Sequence, residues 1–250
     1  MDIVIGFLIA IVIALTGVGA GVIIAPMLIL FLHVPVGVAV STALAYSAIV
    51  KLIVAPVQMW RGQVNYRVLA YMLLGGLPGV VLGSIFFKRA IVHGTTAPVY
   101  AVLGAIIMFS AGWHIYRHFR PAAIARPSTD RSKWVAAIML PIGAEVGFSS
   151  SGAGALGTVA LLGLTSLTTA QVVGTDLCFG LGLSLVGTGV HMIGGIYDAA
   201  LLWKLSAGGV LGALFGSGFA PKIPNRQLRF ALSLWLLAIG LQFCWHAFGR

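Results

Sequence analysis

The chain has 250 residues, 60% of them hydrophobic and 8% charged, with a mean hydropathy of +1.06. That composition excludes a soluble globular domain, and apolar stretches along the whole length exceed what one signal peptide explains. The net charge of +10 does not point to nucleic acid, because the basic residues sit mainly between apolar spans, where the positive-inside bias places them.

An all-α polytopic membrane protein with no sizeable soluble domain remains. The alternation and short turns of a membrane β-barrel are absent. Cys178 and Cys244 fall in apolar spans without a CxxC or a ligand cluster and read as small buried residues. Asp2 follows Met1 with no charged leader before the first apolar run, so the N-terminus is expected to stay as part of the first membrane element.

Two half-length apolar segments, 2–15 and 22–33, flank the break Thr16-Gly17-Val18-Gly19-Ala20-Gly21. Glycine holds a helix poorly and lets a ligand approach bare backbone. Pro35 then opens a long helix to about residue 60, suited to a first-turn proline. A polar loop from Arg61 to Arg67 leads to spans at about 68–87 and 97–116. The polar stretch Arg117–Lys133 follows as a basic linker, placed in the cytoplasm by its charge.

The plan then repeats. Segments 134–148 and 155–166 flank a second break, Ser149-Ser150-Ser151-Gly152-Ala153-Gly154, with spans near 169–193, 199–220 and 227–247. At a shift of 133, Thr42 matches Thr175, Gly62 matches Gly195, Gly75-Gly76 matches Gly208-Gly209, and Gly83-Ser84 matches Gly216-Ser217. The breaks align at 135, pairing Gly17 and Gly19 with Gly152 and Gly154. A gap-free run of this kind reads as duplication. The expected domains are a first transmembrane repeat (1–117), the linker (118–133) and a second repeat (134–250). Each repeat has about four helical segments, roughly eight in all.

Two topologies stay open. Each broken segment crosses once, giving eight spans and parallel repeats, or turns back as a re-entrant hairpin, giving three crossings per half and inverted repeats. With Lys51 left in the membrane, the other 14 Lys and Arg divide 9 to 5 in the first case and 10 to 4 in the second, which favours hairpins slightly.

Paired breaks in two halves are the sequence pointer to a transporter's binding site. Segments restarting near Gly21 and Ala155 would offer helix N-termini, with free N–H groups and partial positive charge, to a small anion. Thr16, Ser149, Ser150 and Ser151 add hydroxyls. The bland alternative is close helix packing through small residues. Lys51, Glu145 and Asp176 lie in apolar stretches, where each costs on the order of 3 kcal/mol without a partner or polar cavity. Lys51 is expected to attract an anion or to pair with Asp176. Glu145, one turn before Ser149, and Asp176 are the candidate proton carriers, against a role as structural ion pairs.

Ser41-Thr42 and Thr175 occupy equivalent helix starts, either facing a shared cavity or bonding back to the preceding turn. Gln58 and His191 also align, and read as interface residues. Gly17-x-Gly19-x-Gly21 lacks the strand and acidic ligand of a dinucleotide fingerprint, and no GxxxxGK[ST] is present. Trp60, Tyr66, Trp113, Trp134 and Trp203 lie near span ends, as an aromatic belt requires.

The residues Gly17-Val-Gly-Ala-Gly-Val-Ile-Ile-Ala-Pro26, Ala39-Val-Ser-Thr-Ala-Leu44, Gly62-x-Val64-x-Tyr66 and Gly76-Leu-Pro-Gly79-x3-Gly83 resemble, in order and spacing, the sulfite exporter TauE/SafE family. The sequence departs from the family pattern at Ala20, at Thr42-Ala43, at Leu156 and at Leu161. The resemblance covers nearly the whole chain. It implies secondary transport of sulfite, sulfonates or related small organic anions across the inner membrane, generally outward. No cofactor and no metal are expected from the residues. It leaves the cargo itself unnamed. The partners expected are a small anionic substrate and the lipid bilayer, with a homodimer among the assemblies allowed. A metal-cation carrier, a membrane enzyme and a non-transporting scaffold are the rivals; carboxylates, His and Cys are too scattered to favour the first two.

Overall fold

The computed structural model describes residues 2–16, 20–93, 96–119, 132–150, 153–195, 197–219 and 225–248. Among these the chain is helical throughout: α1 (Asp2–Thr16), α2 (Ala20–Leu30), α3 (Val36–Trp60), α4 (Tyr66–Val92), α5 (Thr96–Phe119), α6 (Ser132–Ser149), α7 (Ala153–Leu164), α8 (Thr169–Ile193), α9 (Ala199–Phe219) and α10 (Asn225–Phe248). Most of the sequence boundaries fall within a few residues of these. The third span continues past Lys88-Arg89 to Val92, because no breaker intervenes before the His93 turn.

Helix length separates two kinds of element. α3, α4, α5, α8, α9 and α10 have 21 to 27 residues, or roughly 30–40 Å, enough to cross a hydrocarbon core of about 30 Å. Of these, α3, α4 and α8 carry long apolar windows over the described residues. The flanking pairs are shorter, α1 with 15 and α2 with 11 residues, α6 with 18 and α7 with 12. Large apolar side chains such as Leu74, Phe86, Phe109, Phe215 and Leu241 point outward. A bilayer tolerates that surface and water does not.

Positions 133 apart adopt the same local structure. The turn after α3 closes with Arg61 N–H to Val57 O and Gly62 N–H to Met59 O; the turn after α8 closes with Gly194 N–H to Val190 O and Gly195 N–H to Met192 O. Gly62 and Gly195 take φ of 66° and 70°, the left-handed region that a side chain disfavours. The Asn65 side chain then accepts from Val68 N–H at 3.1 Å, and Asp198 from Leu201 N–H at 3.0 Å, capping the next helix.

The packing follows the same offset. On α4, Gly75 and Gly79 lie against the Ala136 and Leu140 carbonyls of α6; on α9, Gly208 and Gly212 lie against the Ile3 and Phe7 carbonyls of α1. Gly76 receives the Phe179 ring and Gly209 the Tyr46 ring. Backbones approach this closely only where a Cβ is missing, the usual small-residue seam of membrane helices.

These contacts also give direction. Along α4 and α6 the paired residue numbers rise together, so the two run parallel, as do α1 and α9. α4 and α8 are parallel as well, with Leu73 near Gly182 and Phe87 near His191. The central pair α3 and α8 is antiparallel: Ser41 meets His191, Ser47 meets Ser184, and Lys51 lies over Gly180. α5 and α10 are antiparallel too, Tyr100 meeting Phe243 and Met108 meeting Gly240.

Candidate functional site in the α3–α8 crossing

The α3–α8 crossing carries polar groups along its whole length. Asp176, Gly180, Ser184 and His191 fall on one face of α8, at intervals of four, four and seven residues. At the centre Lys51 Nζ donates to Ser184 Oγ at 3.4 Å, and Ser184 Oγ donates to Ser47 Oγ at 3.2 Å. Lys51 and Ser184 are 133 residues apart, so equivalent positions of the two halves touch each other here. The ammonium rests over Gly180, where a Cβ would stand 2.7 Å from Nζ.

One turn along α8, Asp176 is 6% exposed. Its Oδ2 accepts from Thr158 Oγ1 of α7 at 3.1 Å, and its Oδ1 has no hydrogen-bond partner among the described residues. Gly157 leaves the room that Oδ1 occupies. The pairing expected between Lys51 and Asp176 is therefore not a direct contact. Each reaches a hydroxyl, and about one helical turn of α8 separates them. The α7 contact brings the second broken segment onto this crossing.

At the other end lies His191, 3% exposed. Its Nδ1 is 2.8 Å from Ser41 Oγ, its Nε2 is 3.2 Å from the Gly147 carbonyl, and its ring stacks on Phe87 with centroids 5.4 Å apart. α6 ends at Ser149, so the carbonyls of its last turn lack intrahelical acceptor duty. Ser150 N–H takes the Val146 carbonyl, and Ser84 Oγ joins His191 at the Gly147 carbonyl. Two side chains, from α4 and α8, thus close the end of the helix that leads into the second break. Beside it, Ser149 donates to Glu145 Oε1 at 2.8 Å, and buried Ser150 turns the chain at φ 63°.

The remaining expected site residues divide. Ser41 bonds back to Gly37 O at 2.8 Å and also meets His191. Thr42 is buried, and its Oγ1 has no hydrogen-bond partner among the described residues. Thr175 accepts from Asn65 N–H at 3.0 Å, tying the start of α8 to the cap of α4. The antiparallel crossing puts Ser41-Thr42 and Thr175 at opposite ends of α8, roughly 24 Å apart, so they do not share a cavity. Gly17, Gly19, Ser151 and Gly152 lie outside the described residues. Thr16, Gly21 and Gly154 stand in described helices, but their side-chain surroundings are outside the description. Sequence reasoning missed His191, Ser184, Ser47 and Thr158 as members of the site. The match of Lys51 to Ser184 at the 133 shift was the available signal.

The profile of the sulfite exporter TauE/SafE family matches residues 3–243. The chain belongs to that family. It is similar to "Probable membrane transporter protein YjnA" of Bacillus subtilis (strain 168), with 26% identity over 246 residues, 95% of this chain and 96% of the relative. It is also similar to "Probable membrane transporter protein YdhB" of the same organism, with 27% identity over 240 residues, 94% and 96% of the two chains. No solved structure matches it significantly. The TauE/SafE chain is accordingly a membrane protein of a transporter family.

Proposed function

We propose that this protein is a secondary transporter of the inner membrane that exports a small sulfur-containing oxyanion, such as sulfite or a sulfonate like sulfoacetate. The observation that carries the reading is the Lys51 amine held among the hydroxyls of Ser47 and Ser184 where the two halves cross. An ammonium at membrane depth costs on the order of 3 kcal/mol unless something pairs with it, and a transported anion supplies the pairing. The description of the family as sulfite exporters supports a sulfur oxyanion as the cargo in this reading. Glu145 and Asp176 are the proton-coupling carboxyls in this reading, and the protein is not an enzyme. The Gly-rich breaks at Thr16–Gly21 and Ser149–Gly154 are proposed as the further elements that hold the anion.

The architecture proposed with it is two repeats, 1–117 and 134–250, joined by a cytoplasmic linker. Support comes from the shared turns, caps and glycine seams at the 133 offset. Two equivalent helices that cross antiparallel are related by an axis lying in the membrane plane, so the α3–α8 and α5–α10 directions favour inverted repeats. α1 runs with α9, which returns from α8 through the same turn that joins α3 to α4. α1 and α3 then point the same way, and α2 must run back between them. That favours the hairpin arrangement over eight spans.

Energetically such an exporter needs no nucleotide. Sulfite is largely doubly charged at cytoplasmic pH, and an inside-negative potential drives it outward by about 2.3 kcal/mol per charge per 100 mV. The test is flux in proteoliposomes loaded separately with sulfite, sulfoacetate, taurine and sulfate, under imposed voltage and pH gradients, for the parent and for Lys51→Met, Glu145→Gln and Asp176→Asn. Saturable movement of one sulfur oxyanion, reduced at least tenfold by Lys51→Met, is the expected outcome. Parent flux no higher than that of empty liposomes for all four anions would remove the reading.

A further inference from the structure

We propose that each exported anion crosses together with one proton, which Asp176 takes up as the anion engages Lys51. This rests on the exporter reading above and fixes the charge that its cycle moves. Lys51 is the one charged residue of α3, Asp176 is the one carboxyl of α8, and α7 carries no charged side chain. The Lys51 amine lies over Gly180, one turn of α8 from Asp176, within electrostatic reach of the carboxyl but not in contact with it. Its hydrogen bond to Ser184 is long, at 3.4 Å. Asp176 is 6% exposed and accepts from Thr158 at 3.1 Å, while its buried Oδ1 has no partner among the described residues. A carboxylate so thinly bonded at membrane depth depends on a nearby positive charge or on a proton.

Without cargo, the amine and the carboxylate share one proton, as ammonium with carboxylate or as amine with carboxylic acid. Both arrangements are neutral overall. An anion seated at Lys51 pairs with the ammonium form and occupies its charge. Asp176 then loses its counter-charge and faces a second negative charge, an arrangement that one further proton relieves. That proton comes from water on the loading side and forms the carboxylic O–H of Asp176. Release of the anion on the far side returns the ammonium to Asp176, and the proton passes to water there. One anion and one proton cross per cycle, and the empty pair returns neutral.

The other charged and titratable groups on the packed elements lie elsewhere. On α4, Arg67 is exposed beyond the Asn65 cap that meets Thr175. On α6, Lys133 is exposed, and Glu145 is bonded by Ser149 near the Gly147 end that meets His191. His191 itself is fifteen residues along α8 from Asp176, about 22 Å. The consequence is a selection by charge, because the charge moved is one less than the anion's own. A dianion such as sulfoacetate carries one net charge outward, and an inside-negative potential expels it. A monoanion such as methanesulfonate moves without net charge and gains nothing from the potential. The cargo class this favours is the sulfur oxyanion that is doubly charged in the cytoplasm.

The test measures charge per anion in proteoliposomes of the full-length parent and of Asp176→Asn. The pH is equal on both sides, and potassium with valinomycin sets the voltage. The probes are sulfoacetate, methanesulfonate, and sulfite in alkaline buffer, where it is the dianion. The voltage that just holds a tenfold gradient of sulfoacetate or sulfite is expected to be about 59 mV in the parent, the value for one charge, and about 30 mV in Asp176→Asn, the value for two. Methanesulfonate movement is expected to ignore voltage in the parent and to balance at about 59 mV in Asp176→Asn. A parent value of about 30 mV for either dianion overturns the proposal, and that reading needs no variant to fold. Equal voltages in the parent and in Asp176→Asn overturn it as well, because the proton would then belong to another group. Parent flux no higher than that of empty liposomes for every probe would instead remove the exporter reading, and this proposal with it.

Discussion

At Gly180 an added Cβ would stand 2.7 Å from the Lys51 ammonium and 3.2 Å from the carbon before it. The obstructing atoms are the far end of a flexible side chain, so Gly180→Ala leaves the backbone in place and evicts the charge from its seat beside Ser184. Anion flux is expected to fall about tenfold, the equivalent of about 1.4 kcal/mol at the site, with melting temperature in detergent near that of the parent. Gly189→Ala is the matched control, because nothing lies within 4 Å of its Cβ position on the same helix. It is expected to keep full flux and to gain a little stability, since alanine holds a helix better than glycine by up to about 1 kcal/mol. Equal flux in both variants would detach the Lys51 position from transport.

At the scale of elements, the α4–α6 and α1–α9 seams depend on glycines packed against carbonyls of the facing helix. Here the obstruction is backbone, which does not step aside. Gly79→Val and its counterpart Gly212→Val are each expected to destabilise by about 1–3 kcal/mol or more, read as a large drop in melting temperature and in yield from the membrane. Gly112→Val, with open space around its Cβ position, is expected to fold. This seam was partly legible in the sequence: the glycine pairs repeat at 133, and the limits of the long helices follow from Pro35, the 61–67 loop and the apolar runs. Which helix faces which glycine was not legible. Spacing along one helix gives a face, whereas the partner across it comes from tertiary packing of segments far apart in the chain. For the same reason the two alternatives for Lys51, attracting an anion or pairing with Asp176, were not separable along the chain; the antiparallel crossing sets its amine against Ser184, within electrostatic reach of Asp176 but not in contact with it. His191 read as an interface residue because helix position alone does not reveal that the end of α6 needs a donor there.

For the whole molecule, the direction of α3 relative to α8 separates the two topologies. With the linker cytoplasmic, inverted repeats put the turn at Arg61 on the cytoplasmic side and the turn at Tyr197 on the outer side. Parallel repeats with eight spans put both on the cytoplasmic side, because α3 and α8 would then cross in the same sense. Arg61 and Tyr197 are both exposed, so a reagent reaches either position once it is on the correct side. The experiment places a single cysteine at each, as Arg61→Cys and Tyr197→Cys, in a background with Cys178 and Cys244 changed to Ser. Both are then labelled with a membrane-impermeant maleimide in right-side-out and in inside-out vesicles. Labelling of Tyr197→Cys from outside and of Arg61→Cys only in inside-out vesicles is the expected result. Both labelled from the same side would require α3 and α8 to run parallel, against the contacts of Ser41 with His191 and of Ser47 with Ser184. The charge distribution agrees with the expected result: the hairpin arrangement leaves Lys88, Arg89, Lys204 and Arg250 outside and gathers the other ten loop cations, Arg61 and Arg67 among them, on the linker side.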